Sequence, residues 1–195
     1  MKKLLLLITI LFIASLPVRA QSDYPKAEVF VGYSHFSADI NFDDPFDDVD
    51  EGDFFSQREG FHGVGFSVAG NLTRHFGVVG DFSYHKKEIE LPGPDIDFST
   101  FAFLFGPRVT TRGNRVEGFA HAMAGGVRRK LEDFDSDTDL ALGFGGGLDI
   151  KVADSFAIRV VQLDYLPFRD RDFFTGDKQW RHNLRVGVGV TFRLQ

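Results

Sequence analysis

The sequence lacks cysteine, so no disulfide can hold the chain together. After residue 20 it has no apolar run near 18 residues, which excludes a transmembrane helix in that part of the chain. It also lacks a basic stripe, and the net charge of −6 argues against a nucleic-acid partner. An exported chain without disulfides needs a large core or a closed barrel to hold its structure.

The first twenty residues predict a cleaved signal peptide. Lys2 and Lys3 form a positive start, residues 4–16 are apolar or small, and Val18-Arg19-Ala20 suits a signal peptidase that cuts before Gln21. We therefore expect two parts, a signal peptide over 1–20 and one β-barrel domain over 21–195. Loss of the three cationic residues of the signal peptide would take the formal charge from −6 to −9.

Phenylalanine and glycine dominate what is present. Phe supplies 23 residues against 4 Tyr and 1 Trp, and Gly supplies 21. Apolar side chains alternate with small or polar ones in segments of about ten residues, which is the signature of strands in a transmembrane barrel. We predict eight strands, at 27–36, 60–71, 75–86, 98–110, 115–128, 139–152, 155–166 and 181–193.

In most of the predicted strands, the alternation shows clearly which residues share a face. In the last strand Leu184, Val186 and Val188 share one face, and Arg185 and Gly187 share the other. The fifth strand is ambiguous, because its polar and small residues do not separate one face from the other as clearly. The seventh changes parity between Arg159 and Gln162, which predicts a β-bulge near Val160-Val161.

The connections alternate in length. Long ones are predicted at 37–59, 87–97, 129–138 and 167–180, and short ones near 71–74, 112–114 and 153–154. In a membrane meander this places the long loops outside and the short turns, with both ends of the barrel domain, in the periplasm. The long loops with their flanks hold 21 of the 28 acidic residues.

The faces favour a membrane barrel over a soluble one. In hydrocarbon every backbone polar group must be paired, so a β-structure crosses only as a closed barrel. The outer face should be apolar, whereas a soluble lipocalin-like periplasmic carrier, the alternative, would carry many Lys and Glu there. The other face holds isolated charges that we expect to pair in the narrow lumen, because a lone buried charge is costly. These charges are Asp81, Arg108, Asp149, Arg159, Asp164 and Arg185.

Four segments carry a family resemblance: the closing strand 184–192, Gly-Gly-Gly-Leu-Asp at 145–149, Phe-Gly-Pro-Arg at 105–108 and 159–165. Over 21–195 the chain resembles the small bacterial outer-membrane β-barrel family that includes the transmembrane domain of OmpA. The resemblance implies an all-β, eight-stranded antiparallel up-and-down barrel in the cell outer membrane. Members of this kind are adhesins, structural proteins or minor channels. We expect a non-enzymatic structural or surface-interaction role, with a narrow channel for small solutes or ions as the alternative.

Candidate chemistry is sparse. Asp81, Ser83 and His85 are the residue types of a catalytic triad, but alternate residues of a strand project in parallel about 7 Å apart. We therefore expect lumen packing, with no catalytic residue and no cofactor. The six histidines have no metal-ligand spacing.

The first long loop is acidic. Its carboxylates are candidates for binding a divalent cation, and a solvated, self-repelling loop is the alternative. The candidates are Asp43, Asp44, Asp47, Asp48 and Asp50.

The surroundings of the barrel define its expected partners. These are outer-membrane lipid, lipopolysaccharide and the barrel-insertion machinery, with the protein acting as a monomer that binds no nucleic acid. Aromatic residues near strand ends are expected to form girdles at the two membrane interfaces. They are Tyr33, Tyr84, Tyr165, Phe168 and Trp180.

Overall fold

The computed structural model describes residues 24–39, 58–89, 96–131, 137–171 and 178–195. Ten β-strands lie in these ranges, and no helix within them is long and apolar enough to cross a membrane. The strands are β1 Ala27–Asp39, β2 Arg58–Asn71, β3 Phe76–Ile89, β4 Ile96–Arg112, β5 Val116–Leu131, β6 Asp137–Ala153, β7 Phe156–Tyr165, β8 Phe168–Arg171, β9 Lys178–Arg181 and β10 Leu184–Leu194.

The strands form one closed antiparallel barrel. β1 to β7 pair in sequence order, β10 pairs with β7, and β10 also pairs with β1, which closes the sheet. β8 and β9 continue the β7–β10 hairpin in unchanged register, since Tyr165 faces Leu184 and Phe168 faces Arg181. With β8 counted as the continuation of β7 and β9 as the continuation of β10, the barrel has eight strands, which confirms the predicted eight-stranded up-and-down fold.

The two ends of the barrel differ. Short turns at 72–75, 113–115 and 154–155 join strands at one end, called here the turn end. At the other, the loop end, the connecting segments 40–57, 90–95, 132–136 and 172–177 lie outside the described residues. The predicted fourth loop over 167–180 was wrong in extent, because β8 and β9 occupy half of it. Strands of up to 17 residues exceed the 9–11 or so that cross a bilayer, so hairpins continue beyond it.

The side chains alternate between lipid-facing and lumen-facing positions as the sequence predicted. Large apolar side chains are exposed on the outside, for example Val64, Phe105 and Leu163. β5 turns Glu117 and Met123 inward, which resolves its ambiguous faces. An outer face of this kind favours the membrane barrel over the soluble carrier.

The predicted bulge in the seventh strand is present. Gln162 faces Gly187 and Arg159 faces Gly189, so Val160 and Val161 together oppose the single residue Val188. The extra residue restores the inward parity of Gln162 and Asp164 after Arg159. Both sets of polar residues therefore point into the lumen.

An apolar cluster fills part of the lumen and crowds toward the loop end. It consists of Phe36, Phe61, Ala69, Val79, Ala102, Leu104, Met123, Val127, Ala141, Leu166 and Phe168. Placing Phe168 in an aromatic girdle was wrong, because this side chain is only 6% exposed. It has the same parity as the inward Asp164 and Leu166, and the strand direction continues unchanged through Pro167.

Candidate functional site

Between the apolar cluster and the turn end, the lumen is filled by charged side chains. The structure brings all six predicted lumen charges into it, where each is buried. Five further ionic residues that the prediction omitted join them: Glu28, Arg112, Glu117, Lys151 and Arg193. We call these eleven residues the lumen network.

Arg185 of β10 organises the part nearest the loop end. Its Nη2 lies 2.7 Å from Asp164 Oδ2, and its Nη1 lies 2.6 Å from Asp81 Oδ1. His121 Nε2 is 2.7 Å from the other oxygen of Asp164. One guanidinium from β10 thus joins carboxylates of β7 and β3 across the barrel.

Arg159 occupies the middle of the lumen. Its Nε and Nη2 donate to Asp149 at 2.8 and 3.0 Å, and its Nη1 donates to Gln162 Oε1 at 2.7 Å. The guanidinium lies between the rings of Phe30 and Phe119, 4.3 and 4.2 Å from their centroids. Such cation–π contacts strengthen when water is excluded, so the stacking supports the buried charge.

At the turn end, two glutamates each form ion pairs with several cationic side chains. Glu28 lies 2.9 Å from Arg108 Nη1 and 2.5 Å from Arg112 Nη1. Glu117 accepts from Arg112, from Arg193 at 3.0 Å and from Lys151 at 2.8 Å. The two carboxylates share Arg112, so this group is continuous.

The lumen network is nearly neutral, with one positive charge in excess. Five carboxylates, Glu28, Asp81, Glu117, Asp149 and Asp164, face six cations, Arg108, Arg112, Lys151, Arg159, Arg185 and Arg193. A buried ion pair is tolerated only when its members are satisfied by good geometry and further hydrogen bonds. Here the pairs connect side chains from seven of the eight barrel strands, so the network links the strands to one another through the lumen.

The additional network members carried a sequence signal. Glu28 and Glu117 had inward parity on β1 and β5, and Arg193 has the same parity as Arg185 on β10. Arg112 likewise has the parity of Arg108 on β4. Extending the alternation to the last residues of each strand would have found them.

The three triad-type residues do not assemble. Ser83 Oγ accepts from Arg185 Nη1 at 3.0 Å, and Asp81 pairs with the same arginine. His85 Nε2 instead lies 2.9 Å from Ser34 Oγ on β1, in a site buried beside Phe36. A nucleophile–base–acid relay through Asp81, Ser83 and His85 is therefore not formed.

The predicted cation ligands belong to the first long loop. Asp43, Asp44, Asp47, Asp48 and Asp50 lie in segment 40–57, outside the described residues. Within the described ranges, no group of three or more His, Cys, Asp or Glu residues is arranged to hold a metal ion.

Tyrosines mark the lipid-facing surface toward the loop end. The Tyr33 hydroxyl is hydrogen-bonded to His62 Nδ1, and the Tyr165 hydroxyl to His182 Nδ1. Trp180 is exposed with the guanidinium of Arg169 5.7 Å from its ring centroid. Tyr33, Tyr84, Tyr165 and Trp180 thus all lie on the outside toward the loop end, which fits a girdle at one interface but not the predicted distribution over both.

Comparison with solved structures shows the same fold. The attachment invasion locus protein Ail of Yersinia pestis is 18% identical, with 87% of this chain and 99% of that chain covered at a TM-score of 0.51. Neisserial surface protein A is 10% identical, with 89% and 100% covered and a TM-score of 0.63. OprG of Pseudomonas aeruginosa is 10% identical, with 88% and 97% covered and a TM-score of 0.53. No curated protein sequence matches the chain significantly.

A family model settles the membership. The model described as outer membrane protein beta-barrel domain matches residues 8–192, nearly the whole chain. The closed antiparallel barrel, its apolar outer face and its charged, filled lumen agree with that match. The chain belongs to the outer-membrane β-barrel family, and the cell outer membrane is its location.

Proposed function

We propose that this protein is a monomeric, non-enzymatic outer-membrane barrel with a structural or surface-interaction role, exported through a signal peptide cleaved after residue 20. The barrel holds the loop end outside the cell and the turn end in the periplasm. Its partners are the surrounding lipid, lipopolysaccharide and the insertion machinery. The function lies in the surface that the loops present.

One observation carries this proposal: the lumen is filled along its length. The lumen network occupies the part toward the turn end, and the apolar cluster crowds the part toward the loop end. Eight strands enclose a space just wide enough for side chains. A closed lumen leaves the outer surface as the part that can meet other molecules.

Surface interaction also fits the charge distribution. Segment 40–57 with its neighbours holds nine of the acidic residues, and the loop end carries most of the negative charge. One structural relative is named for attachment and invasion, although at 18% identity the likeness carries only the fold. The acidic loops are the place to search for a binding partner.

The test of the closed lumen is single-channel conductance of the refolded barrel in a planar bilayer. We expect no steps above the leak of the bare membrane. A wide-pore outer-membrane porin inserted in the same bilayers serves as the control that conductance is detectable, because opening the apolar cluster alone would leave the lumen network in place. Defined steps from the native barrel would establish the narrow-channel alternative instead.

The test of the surface role is a binding screen on whole cells. Cells displaying the native barrel are compared with cells displaying a barrel whose residues 41–56 are replaced by a short Gly-Ser linker. We expect binding to host-cell or matrix components to fall with the deletion. Equal binding by both cell types would refute the assignment to this loop.

Absence of catalysis is tested separately. Purified barrel is assayed against phospholipid, ester and peptide substrates, beside Ser34→Ala and Ser83→Ala variants. We expect no activity that depends on either serine. Turnover abolished by one of these substitutions would make the protein an enzyme.

A further inference from the structure

The positive charge in excess in the lumen network is located at the turn end. One carboxylate there, that of Glu117, pairs with three cations. They are Arg112, Lys151 and Arg193. The second carboxylate in reach is Glu28, which pairs with Arg112 and also with another arginine deeper in the lumen. We call these five residues the mouth cluster. Its three cations face two carboxylates, so it carries at least one net positive charge.

The mouth cluster is shielded from water except on one side. The side chains of Arg112 and Arg193 are only 4% and 6% exposed. The Lys151 side chain is 25% exposed, and its Nζ donates to the carbonyl oxygen of Gly113 in the neighbouring turn at 2.8 Å. Lys151 is therefore the outermost cation of the cluster. Excess charge in such a place is costly, because the protein interior replaces the water that would solvate it.

Several N–H donors of the mouth cluster have no acceptor among the described residues. Arg112 donates through Nε to the Arg74 carbonyl oxygen and through Nη1 to both glutamates, but its buried Nη2 has no partner. The buried Nε of Arg193 also has none. The two contacts of Lys151 Nζ use two of its three N–H bonds. Buried donors are almost always paired, so unpaired ones beside excess positive charge indicate an acceptor that carries negative charge.

We propose that the mouth cluster binds a small oxyanion of the phosphate class that enters from the turn end. Such an anion supplies both the missing negative charge and several acceptor oxygens, and guanidinium groups match those oxygens with N–H donors in a fixed fork. Because Nη2 of Arg112 and Nε of Arg193 are shielded, the anion approaches beside Lys151, whose flexible side chain moves to admit it and then binds it. This binding goes beyond the proposed function, which concerns the loop end.

The chemistry of the mouth cluster favours a free oxyanion over two other anions. Its members face the lumen, whereas lipid head groups surround the outer wall, so a phospholipid phosphate is a poorer fit. Chloride supplies the charge, but the unpaired donors come from three different strands, β4, β6 and β10. Separate oxygen atoms on one anion serve such donors better than a single spherical ion does.

The test uses the mature chain refolded in phosphatidylcholine nanodiscs, with isotope-labelled arginine. Inorganic phosphate is titrated at constant ionic strength, and NMR follows the Nε–H signals of Arg112 and Arg193. We expect both signals to shift and to saturate. Lys151→Gln removes the excess charge and one donor, so it should weaken phosphate binding about tenfold or more. Lys151→Arg keeps the charge and should retain binding.

Arg115→Gln is the matched control, because it removes an exposed cation from the turn beside the mouth cluster. Its phosphate affinity should stay within about twofold of the native value, as expected for an exposed charge. A parallel titration replaces phosphate by chloride, and a further sample contains phosphatidylglycerol in the bilayer without free phosphate. Heat-modifiable gel mobility verifies that each variant is folded.

Four outcomes overturn the proposal: no saturating shift with phosphate, an equal shift with chloride, unchanged affinity in Lys151→Gln, or an equal loss in Arg115→Gln. The same shift from phosphatidylglycerol alone would make the ligand a lipid head group and overturn the assignment to a free anion. None of these results bears on conductance or on deletion of residues 41–56, so a failure here is distinguishable from a failure of the proposed function.

Discussion

Gly189 of β10 lies where the barrel wall and the lumen packing meet most closely. A Cβ added there would stand 2.4 Å from the Val31 carbonyl oxygen, 2.5 Å from Gly32 Cα and 2.9 Å from the Phe30 ring. Gly187 faces the lumen from the same strand two residues earlier. A Cβ added there would be 3.6 Å from Gln162 Cβ and 3.7 Å from the Tyr33 carbonyl oxygen. The two positions therefore make a matched pair for substitution by alanine.

The expected magnitude follows from these distances. Ordinary contact begins near 3.4 Å, so Gly189→Ala must move the paired backbone of β1 by about 1 Å. It also pushes on Phe30, whose ring stacks on Arg159. Overpacking costs about 1–3 kcal/mol, and the upper part of that range applies because two of the three atoms belong to the backbone. Gly187→Ala should change the free energy of unfolding by no more than about 0.5 kcal/mol.

The assay is urea unfolding of both variants in phospholipid vesicles, followed by heat-modifiable gel mobility and tryptophan fluorescence. We expect Gly189→Ala to be about 2 kcal/mol less stable than Gly187→Ala. Failure of Gly189→Ala alone to insert would be the same effect in a stronger form. Equal stability of the two variants would refute the reasoning that close approach to β1 and Phe30 requires glycine at 189.

Three further predictions concern the lumen and use the same urea assay. Arg185→Met leaves Asp81 and Asp164 without their shared cation and should cost about 3–5 kcal/mol, as loss of one partner of a buried ion pair does; a loss below 1 kcal/mol would mean that water reaches the site. Leu104→Ala removes a side chain that is 0% exposed and should cost about 2–5 kcal/mol through the cavity it leaves, with an unaltered transition midpoint as the contrary result. In a double-mutant cycle of Arg159→Met and Asp149→Asn, the coupling energy should be favourable and exceed about 0.5 kcal/mol, and additive losses would contradict the bidentate pair at 2.8 and 3.0 Å.

Alternation made the wall of the barrel readable from sequence. A lipid-facing side chain must be apolar and a lumen-facing one must be small or paired, so the period-two alternation alone predicts most faces. The break in parity between Arg159 and Gln162 also located the bulge at Val160-Val161, because Arg159 before it and Gln162 and Asp164 after it must all face the lumen. Strand count and closure followed from the same pattern.

Strand ends were less readable. Loops were placed where polar residues accumulate, but outside the membrane a hairpin no longer needs an apolar face. β8 and β9 therefore extend through residues 168–171 and 178–180 of the predicted fourth loop. Phe168 was misplaced for a related reason, since the continuing strand turns it into the lumen.

By itself, the sequence determined that this chain is exported to a membrane as a closed β-barrel, with an apolar exterior and its isolated charges inside. Only the tertiary structure decided which partners those charges take. Arg185 reaches Ser83, 102 residues away, and Arg193 reaches Glu117, 76 residues away. Such contacts depend on the register with which the eight strands close. Local alternation fixes the face on which a residue lies, but not which residues of the other strands stand at the same level in the barrel.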